Sequence, residues 1–250
     1  MVMDWSALGR HKGRVALSWS GGKDSTVVLW LLREAGLLDQ VTVYHQDTGD
    51  LFPEMLEHVS ECEAWCPRFV TVRSDARQWA LENGDPSDLV PHSSHEIGQL
   101  MGEGAGKLSR RYDCCSANLM FPIYARIKAD GNTLVIRGTR RSDMKRLPVE
   151  SGATLDGIEV LCPIQEWTEQ DVFDFIAKHD VPIPAFYEHF RQGPECATCP
   201  AWWGENRATY LRAKHPALYA TYCTRMQNVL REIDEPLANL RQLVVDMTTA

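Results

Sequence analysis

At 250 residues, 44% hydrophobic and with a formal net charge of -8, the chain has the material for one α/β domain with a small appendage, not for two large independent domains. No apolar run near its start approaches the ~20 residues of a membrane span, and no basic segment leads into an apolar one, so a cytoplasmic protein with no membrane partner is expected. The acidic balance argues against a general nucleic-acid binder. Basic residues nonetheless gather in "KLSRRY" (107–112) and "RGTRRSDMKR" (137–146), as a focused anion pocket would require.

In chain order, "RVALSWS" predicts a strand that runs into a glycine pair, followed by a helix over 24–35 that ends near Gly36. "QVTVYHQDTG" and "RFVTVRS" (68–74) predict two more strands, with "LFPEMLEHVSECEAWC" between them as a helix that tolerates Pro53 at its start. Residues 83–111 are poorly periodic and predict a long loop or short helices. A helix over 116–130 interrupted by Pro122, strands at 133–138 and 157–164, and a helix capped by Thr168 with Asp171 near N3 come next. Residues 205–246 predict helix broken at Pro216 and Pro236. The expected fold is α/β, an open parallel sheet of about five strands with helices on both faces, plus a C-terminal helical segment. Residues 1–200 are expected to form the nucleotide-binding domain, cysteines included, with 201–250 a helical extension packed on it.

The stretch "LSWSGGKDSTVVLW" (17–30) is too compact for the P-loop that needs four residues between its first glycine and Gly-Lys-Ser/Thr. Its chemistry still suits phosphate. Gly21 and Gly22 permit close backbone approach, Ser20 and Ser25 offer hydroxyls, and Lys23 supplies a charge. Asp24 is placed to cap the helix or help hold Mg²⁺. A strand, a tight turn and a helix together point N–H groups and the helix dipole at an anion. The stretch resembles the PP-loop of the adenine nucleotide α-hydrolase superfamily, which implies an adenine nucleotide bound by Ser18, Ser20, Gly21, Gly22, Lys23, Asp24 and Ser25.

Eight cysteines in a reducing compartment point to metal or catalysis before disulfides. Cys114 and Cys115 are adjacent, Cys196 and Cys199 form a C-x-x-C, and residues 116–195 separate the pairs. Four thiolates suit either Zn²⁺ or a [4Fe–4S] cluster, and spacing leaves the two nearly even. The whole pattern resembles the cluster motif of assimilatory adenylylsulfate reductases in the phosphoadenylylsulfate reductase family. "DTGDLFPE" (47–54), "GTRRSDMKR" (138–146) and "CPIQEWTEQDVFDFI" (162–176) resemble further signatures of that family, in order. The resemblance implies a [4Fe–4S] cluster on Cys114, Cys115, Cys196 and Cys199. It also implies an anion clamp from Arg140, Arg141 and Arg146, and nucleotide contacts from Asp47, Thr48, Gly49 and Gly138.

Two departures from the family redirect the functional expectation. The C-terminal "ECG-[IL]-H" motif that carries the attacking cysteine is missing; after Cys199 comes Cys223, inside a predicted helix. Sulfonucleotide reductases often lack the loop lysine, whereas Lys23 is present here, as in ATP-consuming relatives. The expected activity is therefore cleavage of ATP to AMP and pyrophosphate, activating a substrate for sulfur transfer or modification, with Lys23, Asp24, Arg140, Arg141 and Arg146 as catalytic candidates. Two alternatives stand beside it: a sulfonucleotide reductase using a thiol of Cys223 or of a partner, and a non-catalytic nucleotide-binding component of a modification or defence complex. A thiol or sulfur-donor protein, a nucleic-acid substrate and self-association are the partners left open. Cys62, Cys66 and Cys162 are expected to be structural, His92 and His95 to be solvated, and Trp202 and Trp203 to give apolar cover.

Overall fold

The computed structural model describes residues 5–101, 108–143, 149–193, 196–204 and 206–249. Its strands are β1 (Arg14–Trp19), β2 (Val41–Asp47), β3 (Phe69–Arg73), β4 (Asp85–Ser87), β5 (Leu108–Arg110), β6 (Asn132–Arg137), β7 (Thr154–Leu155) and β8 (Ile158–Leu161). Its α-helices are α1 (Ser6–Arg10), α2 (Lys23–Glu34), α3 (Pro53–Glu63), α4 (Ala76–Asn83), α5 (Glu96–Leu100), α6 (Arg111–Cys115), α7 (Phe121–Ala129), α8 (Glu169–His179), α9 (Arg207–Lys214) and α10 (Pro216–Thr249). They group into two compact units that interleave along the chain. One lies within Met1–Asp47, Leu51–Ser74 and Met120–Glu188, the other within Thr48–Asp50, Asp75–Leu119 and His189–Ala250.

The first unit is a six-stranded sheet in the order β3-β2-β1-β6-β8-β7. Its five longer strands pair in parallel, at the positions the β-rich runs predict. Alternation along β1 sends Val15, Leu17 and Trp19 to one face, where they pack with Val27, Leu29 and Leu32 of α2, Cys62 of α3 and Val172 of α8. Ala16 goes to the other, beside Tyr44, Val135, Val160 and Ile127 of α7. Each aliphatic side chain so buried contributes about 1.5–3 kcal/mol. β1 is also where the strand order turns, with β2 and β3 laid on one side of it and β6 on the other. The crevice beyond the carboxyl ends of β1 and β6 is therefore the switch point at which open α/β sheets bind ligands.

The sixth strand, β7, pairs antiparallel with β8 across Asp156 and Gly157, both at positive φ (48° and 81°). Asp-Gly in that geometry is a two-residue hairpin turn, a signal present in the sequence but absent from the five-strand expectation. The expected helix over 116–130 is divided: Ser116–Met120 forms a π-helical turn and α7 follows with Pro122 in its first turn. Pro122 has no N–H to give, and widening the preceding turn accommodates its ring.

In the second unit β4 and β5 pair in parallel, so the stretch expected to be loop and short helices also holds two short strands. α10 packs on β5 through Val229 and Ile233 against Leu108, with Leu237 and Val90 alongside. Pro236 is not the break expected; α10 runs through it, anchored on either side by Ile233 and Leu237. Pro216 does mark a boundary, as the first residue of α10. Among the described residues no helix is long and apolar enough to cross a membrane.

Candidate functional site

The turn after β1 delivers "SGGKDS" to the amino end of α2. Ser18 lies in β1 on the face of Ala16. Gly21 has φ +81° and would place a Cβ 2.4 Å from Met55 Sδ, so a side chain there is opposed by conformation and by space. Ser25 Oγ accepts from the Ser20 N–H at 3.2 Å, donates to the Gly22 carbonyl at 3.0 Å and meets Ser20 Oγ at 3.1 Å. The Lys23 N–H donates to Tyr187 Oη at 3.0 Å. β6 closes the other wall: a Cβ on Gly138 would lie 2.6 Å from the Ser25 backbone nitrogen, so only glycine lets the end of β6 approach the loop this closely.

The charges of this loop are unusually enclosed. Lys23 is only 3% exposed, and a buried ammonium must be paired. Its Nζ lies 3.0 Å from Asp24 Oδ2 and 3.7 Å from Glu169 Oε1 at the start of α8, above the rings of Phe173 and Tyr187. Arg140 is buried too, with Nε 2.7 Å from Asp24 Oδ1 and Nη1 donating to Ser142 Oγ at 3.1 Å. The Arg140 Nε–Asp24 contact is an ion pair without hydrogen-bond alignment. Asp24 thus stands between two cations, Oδ2 on Lys23 and Oδ1 on Arg140.

Of the two expected clamp arginines among the described residues, Arg140 is brought to the loop and Arg141 is not. Arg141 is exposed and bonded to Glu166 and Glu150, which raise its pKa; its guanidinium serves a surface network. Arg146 lies outside the described residues. Asp47 ends β2 and faces Arg73 at 3.9 Å, while Thr48 and Gly49 belong to the second unit with the cysteines. Tyr187 and Glu169, not singled out from the sequence, contact Lys23; Glu169 opens α8, and no local pattern marks either residue.

In the second unit Cys114, Cys115, Cys196 and Cys199 line one cavity of about 30 Å³, with Thr48, Arg111 and Trp202. All four are free thiols. Cys114 and Cys115 end α6, where the Asn118 amide donates to the Cys114 carbonyl at 3.1 Å. Burial, followed by the neighbouring Cys199 and Cys115, pushes the Cys114 pKa up to about 12. Burial raises Cys199 as well, opposed by Arg207, Arg225 and Arg111. Arg207 is itself buried, its Nη1 on the Cys199 carbonyl at 3.0 Å and its Nη2 without a hydrogen-bond partner among the described residues. Thiols become ligands only as thiolates, and a buried cation with an unmet N–H beside them suits an anionic tetrathiolate group. The donor set and its charges fit such a group. Among the described residues no three ligand side chains converge as the shell of a single ion.

The remaining cysteines stay apart from this cavity. Cys62 and Cys162 are buried in the two cores of the first unit, and Cys66 donates to the Cys62 carbonyl. Cys223 is half-buried within α10 and bonded to Tyr219. Trp202 reaches the cavity, stacked under Arg111 at 4.7 Å, whereas Trp203 is half exposed.

The phosphoadenosine phosphosulfate reductase domain model matches residues 14–192. The chain belongs to that family. Within it, the chain is 29% identical to a phosphoadenosine 5'-phosphosulfate reductase of Alkalilimnicola ehrlichii over 73% of this chain and 69% of the relative. It is 25% identical to sulfate adenylyltransferase subunit 2 of Streptomyces lavendulae over 95% and 76%. The fold is similar to that of a phosphoadenylyl-sulfate reductase from Candida auris solved as a phosphate complex, at TM-score 0.51 and 18% identity, covering 73% of this chain and 80% of that one. The PP-loop assignment of the first unit accords with this membership.

Proposed function

We propose that the chain is an enzyme that binds ATP at the switch point of its sheet and cleaves it between the α and β phosphates. The product is an adenylylated substrate activated for sulfur transfer or modification. The observation that carries this reading is Lys23, an intact loop lysine held almost without solvent at the amino end of α2. A sulfonucleotide has no β and γ phosphates for such a group to hold.

In this reading Gly21 and Gly22 let the backbone approach the phosphates, and the α2 dipole favours their charge. Lys23 and Arg140 leave Asp24 for phosphate oxygens when the nucleotide enters. A nucleophile on the substrate forms the bond to the α phosphorus and loses a proton. The bond to the bridging oxygen breaks, and its electron pair departs on pyrophosphate, where the two cations stabilise the growing charge. Cys114, Cys115, Cys196 and Cys199 would hold a [4Fe–4S] cluster, which supplies a centre that binds or positions sulfur. The similarity to a protein named as a sulfate adenylyltransferase subunit supports the ATP reading.

The test is incubation in turn with ATP, adenylylsulfate and phosphoadenylylsulfate, with assays for pyrophosphate and sulfite. Pyrophosphate from ATP, lost in Lys23→Ala, is the expected result. Sulfite release that Lys23→Ala leaves intact would replace the proposal with a sulfonucleotide reductase whose thiol comes from Cys223 or a partner. Tight nucleotide binding with no turnover would point to a non-catalytic component.

A further inference from the structure

Thr48 and Asp50 lie in the same unit as the turn from Cys196 to Cys199, and the proposed cleavage of ATP gives Asp50 no part. Asp50 is fully buried, and a buried carboxylate requires every lone pair met. Its Oδ1 accepts from Arg77 Nε and Nη2 at 3.0 and 2.8 Å. Its Oδ2 accepts from the Thr198 N–H at 3.1 Å and the Thr198 hydroxyl at 2.7 Å, with Arg225 Nη1 3.6 Å away. Its carbonyl takes the Ala197 N–H at 2.6 Å. Arg225 also donates to Thr198 Oγ1 at 3.1 Å and is held by Asp85 at 2.6 Å. Cys196 Sγ meets Thr48 Oγ1 at 3.3 Å.

Residues 196–204 contain no helix or strand, so their backbone groups depend on partners of this kind. One buried residue satisfies two successive N–H groups between the cysteines, that of Thr198 through its carboxylate and that of Ala197 through its backbone carbonyl. We infer that Asp50, acting through Thr198, is the positioning residue of the second cysteine pair and fixes the turn between them so that both thiols stay on the shared cavity. The inference rests on the tetrathiolate reading for its purpose, but the geometric claim is separable from it.

The test uses anaerobically purified full chain, wild type, Asp50→Asn, Thr198→Val and Thr198→Ser. Iron and zinc per chain and the visible spectrum are measured first; after chelator treatment, alkylation rates are followed at each cysteine by mass spectrometry. Asp50→Asn and Thr198→Val are expected to retain metal about ten- to a hundredfold more weakly, and their Cys196 and Cys199 to alkylate about tenfold faster as the turn opens. Cys62 and Cys162 should stay protected, and Thr198→Ser should restore the wild-type values. Unchanged metal content, spectrum and alkylation in both disruptive variants would overturn the inference. Should the wild type hold no metal, a selective rise at Cys196 and Cys199 sustains the positioning role while the tetrathiolate reading falls, and equal rates overturn it. Should Asp50→Asn expose Cys62 and Cys162 as well, the Thr198→Val and Thr198→Ser pair decides.

Discussion

Lys23 and Asp24 are neighbours in the chain, yet their environments differ: the buried ammonium lies over the rings of Phe173 and Tyr187 while the carboxylate bridges it to Arg140. A cation held this way is preorganised, so its contribution appears when an anion displaces Asp24 and not before. Gly138 is the second residue on which this geometry depends. A methyl at that position would meet Ser25 backbone 2.6 Å away, so Gly138→Ala is expected to cost about 1–3 kcal/mol by overpacking and to weaken nucleotide binding further than its loss of stability accounts for. Denaturant midpoints and nucleotide titrations of the same protein check the two effects. The loop residues were legible because their type and order state the chemistry. Asp50 and Thr198 were not, because what makes them matter is a contact between segments about 150 residues apart, which no local pattern records.

Among the elements, α8 carries the strongest local signal, and its capping box is present as the sequence predicts: the Asp171 N–H donates to Thr168 Oγ1 at 3.1 Å, and Asp171 Oδ2 accepts from the Thr168 N–H at 2.7 Å. The box orients the helix start that presents Glu169 to Lys23. Thr168→Ala is expected to destabilise the protein by about 1 kcal/mol, read as a lowered denaturant midpoint at unchanged slope. The hydrogen bonds from Thr168 also hold the Asp171 pKa below its ordinary value. That advantage is present above the ordinary carboxylate range and is lost as pH falls through it, so the Thr168→Ala difference should shrink in acid. β-branched runs revealed the five parallel strands, since each is long enough to alternate. β7 has two residues, too few for a period, and only the Asp-Gly turn betrays it. Pro236 misled because proline propensity is local, whereas α10 is held by burial on either side of it.

Across the whole molecule, the core of the first unit contains a histidine that sets an acid limit. His58 is buried with its Nε2 on Thr26 Oγ1 at 3.1 Å, and burial, with His45 nearby, lowers its pKa from 6.5 to about 4. The unfolded chain therefore binds that proton first. Stability is complete above pH 6.5 and declines between about 6.5 and 4, a decline that His58→Gln should flatten in denaturation curves taken across that range. The fold class was readable from the sequence, because strands and glycine turns leave marks in composition and spacing; paired thiols leave a mark as well, but spacing alone does not say what they hold. The assignment of Thr48 to the cysteine unit and of Arg141 to the surface was not readable, since both follow from where the chain turns after a strand. If the enclosed lysine serves the β and γ phosphates of ATP, calorimetric titration of wild type and Lys23→Ala with ATP and with both sulfonucleotides will show it. ATP is expected to bind tightest, and the substitution to weaken ATP binding by about tenfold or more, the worth of a hydrogen bond to a charged group, while sulfonucleotide binding hardly changes. A sulfonucleotide that binds more tightly than ATP, with ATP indifferent to the loss of Lys23, would contradict it.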